Sequence, residues 1–246
     1  MIFANLYYND IKVQKRYKMK KLLIWDFDGV IADSEYLHVR VWDEILKSEK
    51  QIELTPAEKQ KLFYGVSDKT CRERVENYIP GLNLDDNFMA KIYEREFEFC
   101  TNLVEPIPGV EQVMANNNFE HCIATGATRK QHNFRMTPRF QFIKKYIPDQ
   151  NVFTVDMVKY GKPAPDLFLL AAKMKGYTPQ NCIVVGDSVS DFLAATAAGM
   201  DAIAFIGATG NNTKQYETEC KKHGVFGISN TMNNLNVLLN KWHKSR

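Results

Sequence analysis

The chain has 246 residues, of which 45% are hydrophobic, so it is long enough to bury a substantial core. Its 32 Lys and Arg and 29 Asp and Glu leave a formal net charge of only +3, and the basic residues are spread along the chain, which argues against a nucleic-acid or membrane-surface protein. No apolar stretch approaches the length of a membrane span.

The cysteines and the N-terminal segment bear on cellular location. The five cysteines are odd in number, scattered and without a Cys-x-x-Cys spacing, so we expect reduced thiols and neither a disulfide framework nor a zinc site. Residues 1–20 are polar and aromatic, lack the apolar core of a signal peptide, and are predicted to be an N-terminal extension. We therefore expect a cytoplasmic protein.

An apolar run over residues 22–31 contains Asp26 and Asp28, followed at once by Gly29. The run predicts a buried strand, and the glycine permits a sharp turn at its carboxyl end. In an open parallel sheet, ligands bind at that end, so both carboxylates would lie at the mouth of a crevice. They repel each other unless a cation offsets their charge, and hard oxygen ligands suit Mg²⁺. An acidic turn is the alternative interpretation of this pair alone.

The segment over residues 34–104 has helical spacing and no convincing strand. Predicted helices begin after Ser34 as a candidate N-cap, at Pro56, after Ser67 and near Leu84. An all-helical insertion after the first strand is typical of a cap domain that covers the crevice and supplies substrate contacts. The predicted organisation is an extension over 1–20, a catalytic core over 21–33 and 105–246, and a helical cap over 34–104.

Beyond Pro108, apolar runs alternate with helical patterns, which predicts βα units in a parallel sheet and hence an α/β fold. Strands are predicted over residues 119–125, 151–155, 181–186 and 201–205, with a weaker strand over 225–228. Helices are predicted over residues 109–117, 128–137, 164–175, 188–198 and 211–222.

Two loops after these strands carry groups suited to binding an anion. Thr125 and Gly126 follow the second strand, where a hydroxyl and the amides of a helix N-terminus can hold a phosphate. Lys162 lies in a Gly-Lys-Pro-Ala-Pro-Asp loop, whose prolines would hold the lysine where it neutralises negative charge. Taken alone, Thr125 is equally well explained as a turn residue and Lys162 as a surface lysine.

Another buried strand, over residues 181–186, ends in carboxylates. Asp187 lies at the junction between this strand and the next helix, and Asp191 follows one helical turn later, so both can face the same crevice. Asp187 alone could serve as a helix N-cap. Convergence of four strand ends on one crevice favours a shared site.

These segments resemble, in order, the four motifs of the haloacid dehalogenase-like superfamily: Asp26-Phe27-Asp28-Gly29-Val30, Thr125, Lys162 in its loop, and Gly186-Asp187-Ser188 with Asp191. The resemblance covers the chain beyond residue 20 and is greatest to the sugar-phosphate phosphatases and the β-phosphoglucomutase branch. It implies a Rossmann-like parallel-sheet core with an inserted all-helical cap, a Mg²⁺ cofactor, and phosphoryl transfer through an aspartyl-phosphate.

The resemblance also implies a role for each residue. Asp26 would attack phosphorus, Asp28 would protonate the leaving alcohol and then activate water, and Lys162 would offset negative charge. The substrate contacts would be Thr125, Gly126, Lys162 and His38. The metal ligands would be Asp26, Asp28 through its backbone carbonyl, Asp187 and Asp191.

The cap sequence bears on the choice between phosphatase and mutase. Asp68 stands where the β-phosphoglucomutase pattern has an arginine that grips a second phosphate, and this departure favours a phosphatase. An acid at position 28 argues against dehalogenation, because the dehalogenases resemble this pattern without it. Further candidate substrate contacts are Lys69, Arg72 and Arg74.

Two other classes are weaker alternatives. Gly186-Asp187-Ser188 resembles the nucleophile block of the Gly-Asp-Ser-Leu esterases, but no Asp-x-x-His follows Ser188. A catalytically idle phosphate-binding module on the same fold would have no need of Asp28. The sequence thus predicts a Mg²⁺-dependent phosphatase of a sugar phosphate or similar small monoester. Its partner would be a small phosphorylated metabolite, with no nucleic acid or membrane, and the chain would be a monomer or weak dimer.

Overall fold

A six-stranded parallel sheet forms the centre of the computed structural model, which describes residues 21–209 and 214–246. The predicted extension over 1–20 lies outside the described residues, as do residues 211–213 of the last predicted helix. The strands are β1 (Lys21–Trp25), β2 (Phe119–Thr125), β3 (Val152–Thr154), β4 (Cys182–Gly186), β5 (Asp201–Phe205) and β6 (Gly227–Ser229). Their order across the sheet is β3-β2-β1-β4-β5-β6. The predicted α/β, Rossmann-like core is confirmed.

Strand β1 lies in the middle of the sheet, between β2 and β4, and is buried on both faces. Leu23 and Trp25 pack into a core on one face, while Leu22 and Ile24 pack into a separate core on the other. This alternation follows from the two-residue period of a strand, and burial on both faces explains why the run is continuously apolar. Pairing continues past the strand, because the Asp26 amide donates to the Val185 carbonyl at 2.8 Å.

Four helices lie between β1 and β2: α1 (Glu35–Lys50), α2 (Pro56–Phe63), α3 (Asp68–Tyr78) and α4 (Asp86–Asn102). Thr55 caps α2 and Ser67 caps α3, each by accepting a hydrogen bond from a backbone amide. The helices pack partly on one another, with the Trp42 ring stacked on Phe63 at a centroid distance of 5.6 Å. The segment is helical as expected, and its assignment as a separate cap domain stays a prediction.

One predicted cap is wrong. Ser34 precedes α1, but its side chain accepts no bond from the helix. The hydroxyl instead donates to Asp28 Oδ1 at 2.7 Å. A tertiary contact to a carboxylate has replaced the local capping bond, and it ties the start of α1 to the loop after β1.

The remaining helices alternate with the strands, mostly where the sequence places them: α5 (Val110–Ala115), α6 (Arg129–Arg135), α7 (Ile143–Tyr146), α8 (Asp166–Lys175), α9 (Val189–Ala197), α10 (Lys214–Lys222) and α11 (Met232–Ser245). Sequence analysis missed α11, although Leu235, Leu239 and Trp242 recur at helical spacing and are fully buried. No helix in the described ranges is both long and apolar enough to span a membrane.

Gly29 allows the loop after β1 to approach the end of β4 closely. Its φ is +72°, and a Cβ atom added there would lie 1.9 Å from Asp187 Oδ2. Only glycine combines the left-handed backbone conformation with the missing side chain that this approach requires. The turn therefore fixes the separation between the loop after β1 and Asp187.

We expect Gly29→Ala to destabilise the protein by more than Gly81→Ala, which serves as its matched control. Gly81 also has a positive φ, +81°, but an added Cβ there would meet nothing within 4 Å. The control should cost about 1–2 kcal/mol of unfolding free energy from backbone strain alone. Gly29→Ala should cost about 1–3 kcal/mol more, because Asp187 must move. Urea denaturation measures the unfolding free energy of both variants. Equal losses would show that the close approach of Gly29 to Asp187 does not contribute to the cost of the substitution.

Candidate active site

The carboxyl ends of β1, β2 and β4 and the loop after β3 surround one cavity of about 850 Å³. Of the predicted site residues, the cavity is lined by Asp26, Asp28, His38, Thr125, Gly126, Lys162 and Asp187. Asp191 is fully buried and does not line it. The strand ends therefore meet as the parallel sheet predicts, and one of the predicted acids lies behind the cavity wall.

Lys162 lies between two carboxylates. Its Nζ is 2.9 Å from Asp26 Oδ1 and 2.6 Å from Asp191 Oδ1, and its side chain is only 7% exposed. The alternative of a solvated surface lysine is therefore wrong. Asp191 is held in turn by Ser188, which donates from its hydroxyl at 2.6 Å and from its amide at 3.2 Å. The Ser188 hydroxyl bonds to Asp191 and Ser190. Neither partner is the histidine that a serine esterase would use to activate the hydroxyl, so these bonds do not support the esterase alternative.

The buried charges perturb one another. Burial, and then the charge of Asp191, raises the pKa of Asp26 to about 7, while Lys162 opposes the shift. Burial and neighbouring carboxylates hold the pKa of Asp187 well above its usual range. Burial alone would lower the pKa of Lys162, but Asp191 and Asp26 outweigh it and raise that pKa. The three acids thus carry more negative charge than one lysine offsets.

The same three acids could hold a metal ion. Asp26, Asp187 and Asp191 each offer a carboxylate oxygen, and these oxygens lie within 4.8 Å of one another. All-oxygen ligands and an excess of negative charge suit a hard divalent cation such as Mg²⁺. Asp191 Oδ1 is already bonded to Lys162, so Asp26 and Asp187 are the better-placed ligands. The residues present fit the expected cofactor.

Asp28 has different neighbours from Asp26. Its Oδ1 accepts the bond from Ser34 and lies 3.1 Å from Arg135 Nε. Sequence analysis missed Arg135, which α6 directs inward. His132, one turn earlier on the same helix, is buried against the Phe27 ring at a centroid distance of 4.8 Å. Arg135 shares a helix face with His132, three positions earlier, but the burial of that face is visible only in the structure, so no sequence signal pointed to Arg135.

Thr125 stabilises the turn after β2 through a side-chain hydrogen bond. Its Oγ1 accepts a hydrogen bond from the Ala127 amide at 3.1 Å, and Thr128, not Thr125, caps α6. The Ala127 amide is therefore engaged within the turn. Gly126 lines the cavity, and an added Cβ there would meet nothing within 4 Å. Binding of a phosphoryl oxygen by Thr125 and Gly126 stays a prediction.

The inserted helices contribute a histidine and three carboxylates to the cavity, and two of these acids lie close to the histidine. His38 Nδ1 is 2.7 Å from Glu96 Oε1 and 3.7 Å from Asp68 Oδ1. Burial would lower the pKa of His38, but its bonds to Cys71 and Glu96 raise it well above the usual value. These groups are close enough to ligate a cation as well, but Asp68 Oδ1 already accepts a bond from Trp42 Nε1 at 3.0 Å. Glu96 is a second residue that sequence analysis missed.

The other candidate substrate contacts differ in position. Lys69 lines the cavity, whereas Arg72 and Arg74 do not. Arg72 pairs with Glu76 at 3.4 Å, and Arg74 donates to the Lys61 carbonyl at 2.9 Å. Both arginines therefore bind within the inserted helices and away from the cavity.

Comparison with known proteins identifies the family. Residues 23–205 match the haloacid dehalogenase-like hydrolases. The chain is 37% identical over 221 residues to hexitol phosphatase A of Escherichia coli, covering 86% of this chain and 94% of that protein. It is 30% identical over 190 residues to the fructose-1-phosphate phosphatase YqaB of Escherichia coli, covering 74% and 94%.

Solved structures show the same fold. A haloacid dehalogenase-like protein of Agrobacterium tumefaciens superimposes with a TM-score of 0.79 at 24% identity, covering 90% of this chain and 98% of that one. The order of the motifs, the parallel sheet and the sequence matches agree. The chain belongs to the haloacid dehalogenase-like hydrolase family and is a phosphoric monoester hydrolase.

Proposed function

We propose that the protein is a Mg²⁺-dependent phosphatase that hydrolyses a sugar phosphate or sugar-alcohol phosphate through an aspartyl-phosphate intermediate. The observation that carries the proposal is the Asp26 carboxylate, which lies at the end of β1 with Lys162 at 2.9 Å and Asp28 in the same cavity. The names of the two relatives support the class of substrate. The substrate itself is a small phosphorylated metabolite.

Asp26 is the nucleophile in this mechanism. A phosphate monoester dianion resists an anionic attacker, so the attack needs positive charge near the phosphoryl oxygens and an aligned carboxylate. Lys162 supplies charge, and its bond to Asp26 Oδ1 fixes the orientation of that carboxylate. An Asp26 oxygen bonds to phosphorus as the bond to the leaving alcohol breaks, which divides one difficult displacement into two.

Asp28 acts as the general acid and then as the general base in this mechanism. It donates a proton to the leaving oxygen in the first step and takes one from the water that hydrolyses the aspartyl-phosphate in the second. Ser34 and Arg135 contact the same oxygen of Asp28 and limit its rotation. An idle binding module would have no use for this second, separately positioned acid.

Mg²⁺ would be held by Asp26 and Asp187, with Asp191 behind them and, by resemblance to the family, the Asp28 backbone carbonyl. When bound, it supplies positive charge to the phosphoryl oxygens. Lys162 binds Asp191 Oδ1 and so holds the Asp191 carboxylate in position. The ion would offset the excess of carboxylate charge that raises the pKa of Asp26 and Asp187.

One feature of the inserted helices favours phosphatase activity over mutase activity. Asp68 faces His38 at the position where a mutase would need a cation for a second phosphate, which favours hydrolysis. We also propose a cytoplasmic location, which is supported by five cysteines that are all free and buried.

Release of inorganic phosphate from a panel of sugar phosphates, hexitol phosphates and p-nitrophenyl phosphate tests the proposal. With Mg²⁺ present we expect turnover of about 1–10³ per second on the best substrate, and with EDTA in excess we expect turnover to disappear. Activity unaffected by EDTA would contradict the metal requirement. Interconversion of sugar phosphates without phosphate release would instead identify a mutase.

Asp26→Asn should lower phosphate release by at least about 10³-fold, because the amide is not a nucleophile. The fold should persist, since Asn has the same shape and relieves repulsion among buried acids. Thermal denaturation and phosphate release are measured together, with Asp149→Asn as the control. Asp149 is 72% exposed and pairs with Lys144 on the surface, so both properties should remain at the wild-type level. Near-normal activity in Asp26→Asn would rule out the covalent mechanism.

A further inference from the structure

The part of the cavity beyond the phosphoryl position is lined by charged side chains. We call it the cap end and define it by His38, Asp68, Glu96 and Arg135, all of which line the cavity together with Asp26. A phosphate bonded to Asp26 would leave the rest of its substrate facing this end. The charges there therefore act on the leaving group.

Each lysine or arginine that lines the described part of the cavity is already paired or points outward. Lys162 is held between the two acids of the catalytic site, and Arg135 pairs with Asp28 at 3.1 Å. The Lys69 side chain is 87% exposed, and its pairing with Glu73 is loose at 4.0 Å. Of these three cations, Arg135 belongs to the cap end, and the Asp28 carboxylate at 3.1 Å offsets its charge.

The carboxylates that line the cavity around the cap end outnumber its two cationic side chains, those of His38 and Arg135. Asp68 and Glu96 share the single imidazole of His38, at 3.7 and 2.7 Å. Burial, and next the charge of Glu96, raises the pKa of Asp68 to about 6, which still leaves Asp68 mostly ionised at neutral pH. Glu35, which accepts a bond from the Gly65 amide at 2.6 Å, also lines the cavity.

We propose that the cap end accepts a polyhydroxylated leaving group without an anionic group, and that Asp68 and Glu96 reject a second phosphate or a carboxylate. A like charge brought into this partly buried space is repelled strongly, because the effective dielectric is low. Hydroxyl groups are accepted, since carboxylates accept hydrogen bonds from them and Arg135 has N–H donors beyond its contact with Asp28. This inference rests on the proposed phosphatase function.

The test compares two phosphate esters that differ at one carbon. Glucitol 6-phosphate and 6-phosphogluconate share a six-carbon polyol chain, but the latter ends in a carboxylate. We expect kcat/KM for glucitol 6-phosphate to exceed that for 6-phosphogluconate by at least about tenfold, measured as phosphate release with Mg²⁺. Equal values, or a preference for 6-phosphogluconate, would overturn the inference.

A third substrate, p-nitrophenyl phosphate, separates the two ways of failing. Release from this ester but not from glucitol 6-phosphate would overturn the inference and leave the phosphatase function standing. No release from any of the three would overturn the proposed function, and the inference with it.

Variants assign the selectivity to residues. Glu96→Gln should reduce the ratio of the two kcat/KM values by at least about threefold, chiefly through a lower KM for 6-phosphogluconate. Glu98→Gln is the matched control on α4, because Glu98 is 55% exposed, pairs with Arg95 and lies outside the cavity lining. The ratio of the two kcat/KM values in Glu98→Gln should equal the wild-type ratio.

Asp68→Asn provides a second variant in case loss of the His38 contact unfolds Glu96→Gln. Circular dichroism shows which variants are folded. An unchanged ratio in every folded cap-end variant would overturn the role assigned to these two acids.

Discussion

The site depends on a lysine buried between two acids. Lys162 bonds to Asp26 and Asp191 while almost wholly excluded from water. Removing three charged groups from water is costly, and only close mutual contact and additional hydrogen bonds repay that cost. The structure supplies them through the Ser188 amide and hydroxyl, which bond to the far oxygen of Asp191. The position of the lysine thus depends on the start of α9, and the orientation of the Asp26 carboxylate depends on the lysine.

The sheet provides the rigid frame for this arrangement. Asp26 continues the pairing of β1 with β4, and Asp187 directly follows β4, so the two acids face each other across neighbouring strands. Groups on strand ends move little, which is what an aligned attack requires. Asp28 lies beyond the strand, and its contacts come from Ser34 and Arg135 on two other segments. The site therefore combines a proposed nucleophile, Asp26, fixed by the sheet with a proposed general acid, Asp28, positioned by tertiary contacts.

Sequence reasoning succeeded where the signal is local. The strands over 119–125 and 201–205 have the predicted bounds, because each apolar run ends at a turn or helix start. The convergence of the strand-end residues also followed from the topology of a parallel sheet. The helix α11 was missed because its apolar stripe is interrupted by several asparagines, which are typical of loops.

The contacts that were missed are long-range. Ser34 has the residue type and position of an N-cap, and only the fold shows that its hydroxyl bonds to Asp28 instead. Arg135 and Glu96 belong to helices far apart in the chain, and each looks like an ordinary surface charge until those helices are brought to the cavity. No local pattern specifies which charged residues of a helix will face a neighbour.

The packing of the inserted helices has an evolutionary consequence. The Trp42 ring stacks on Phe63 and so packs α1 against α2 within the inserted segment. Under the proposed selectivity, substitutions at positions 68 and 96 alter the choice of substrate while the acids at the strand ends and their lysine stay unchanged. A gene duplicate of such a protein could acquire a new metabolite through a few changes in one segment, with its reaction chemistry inherited intact.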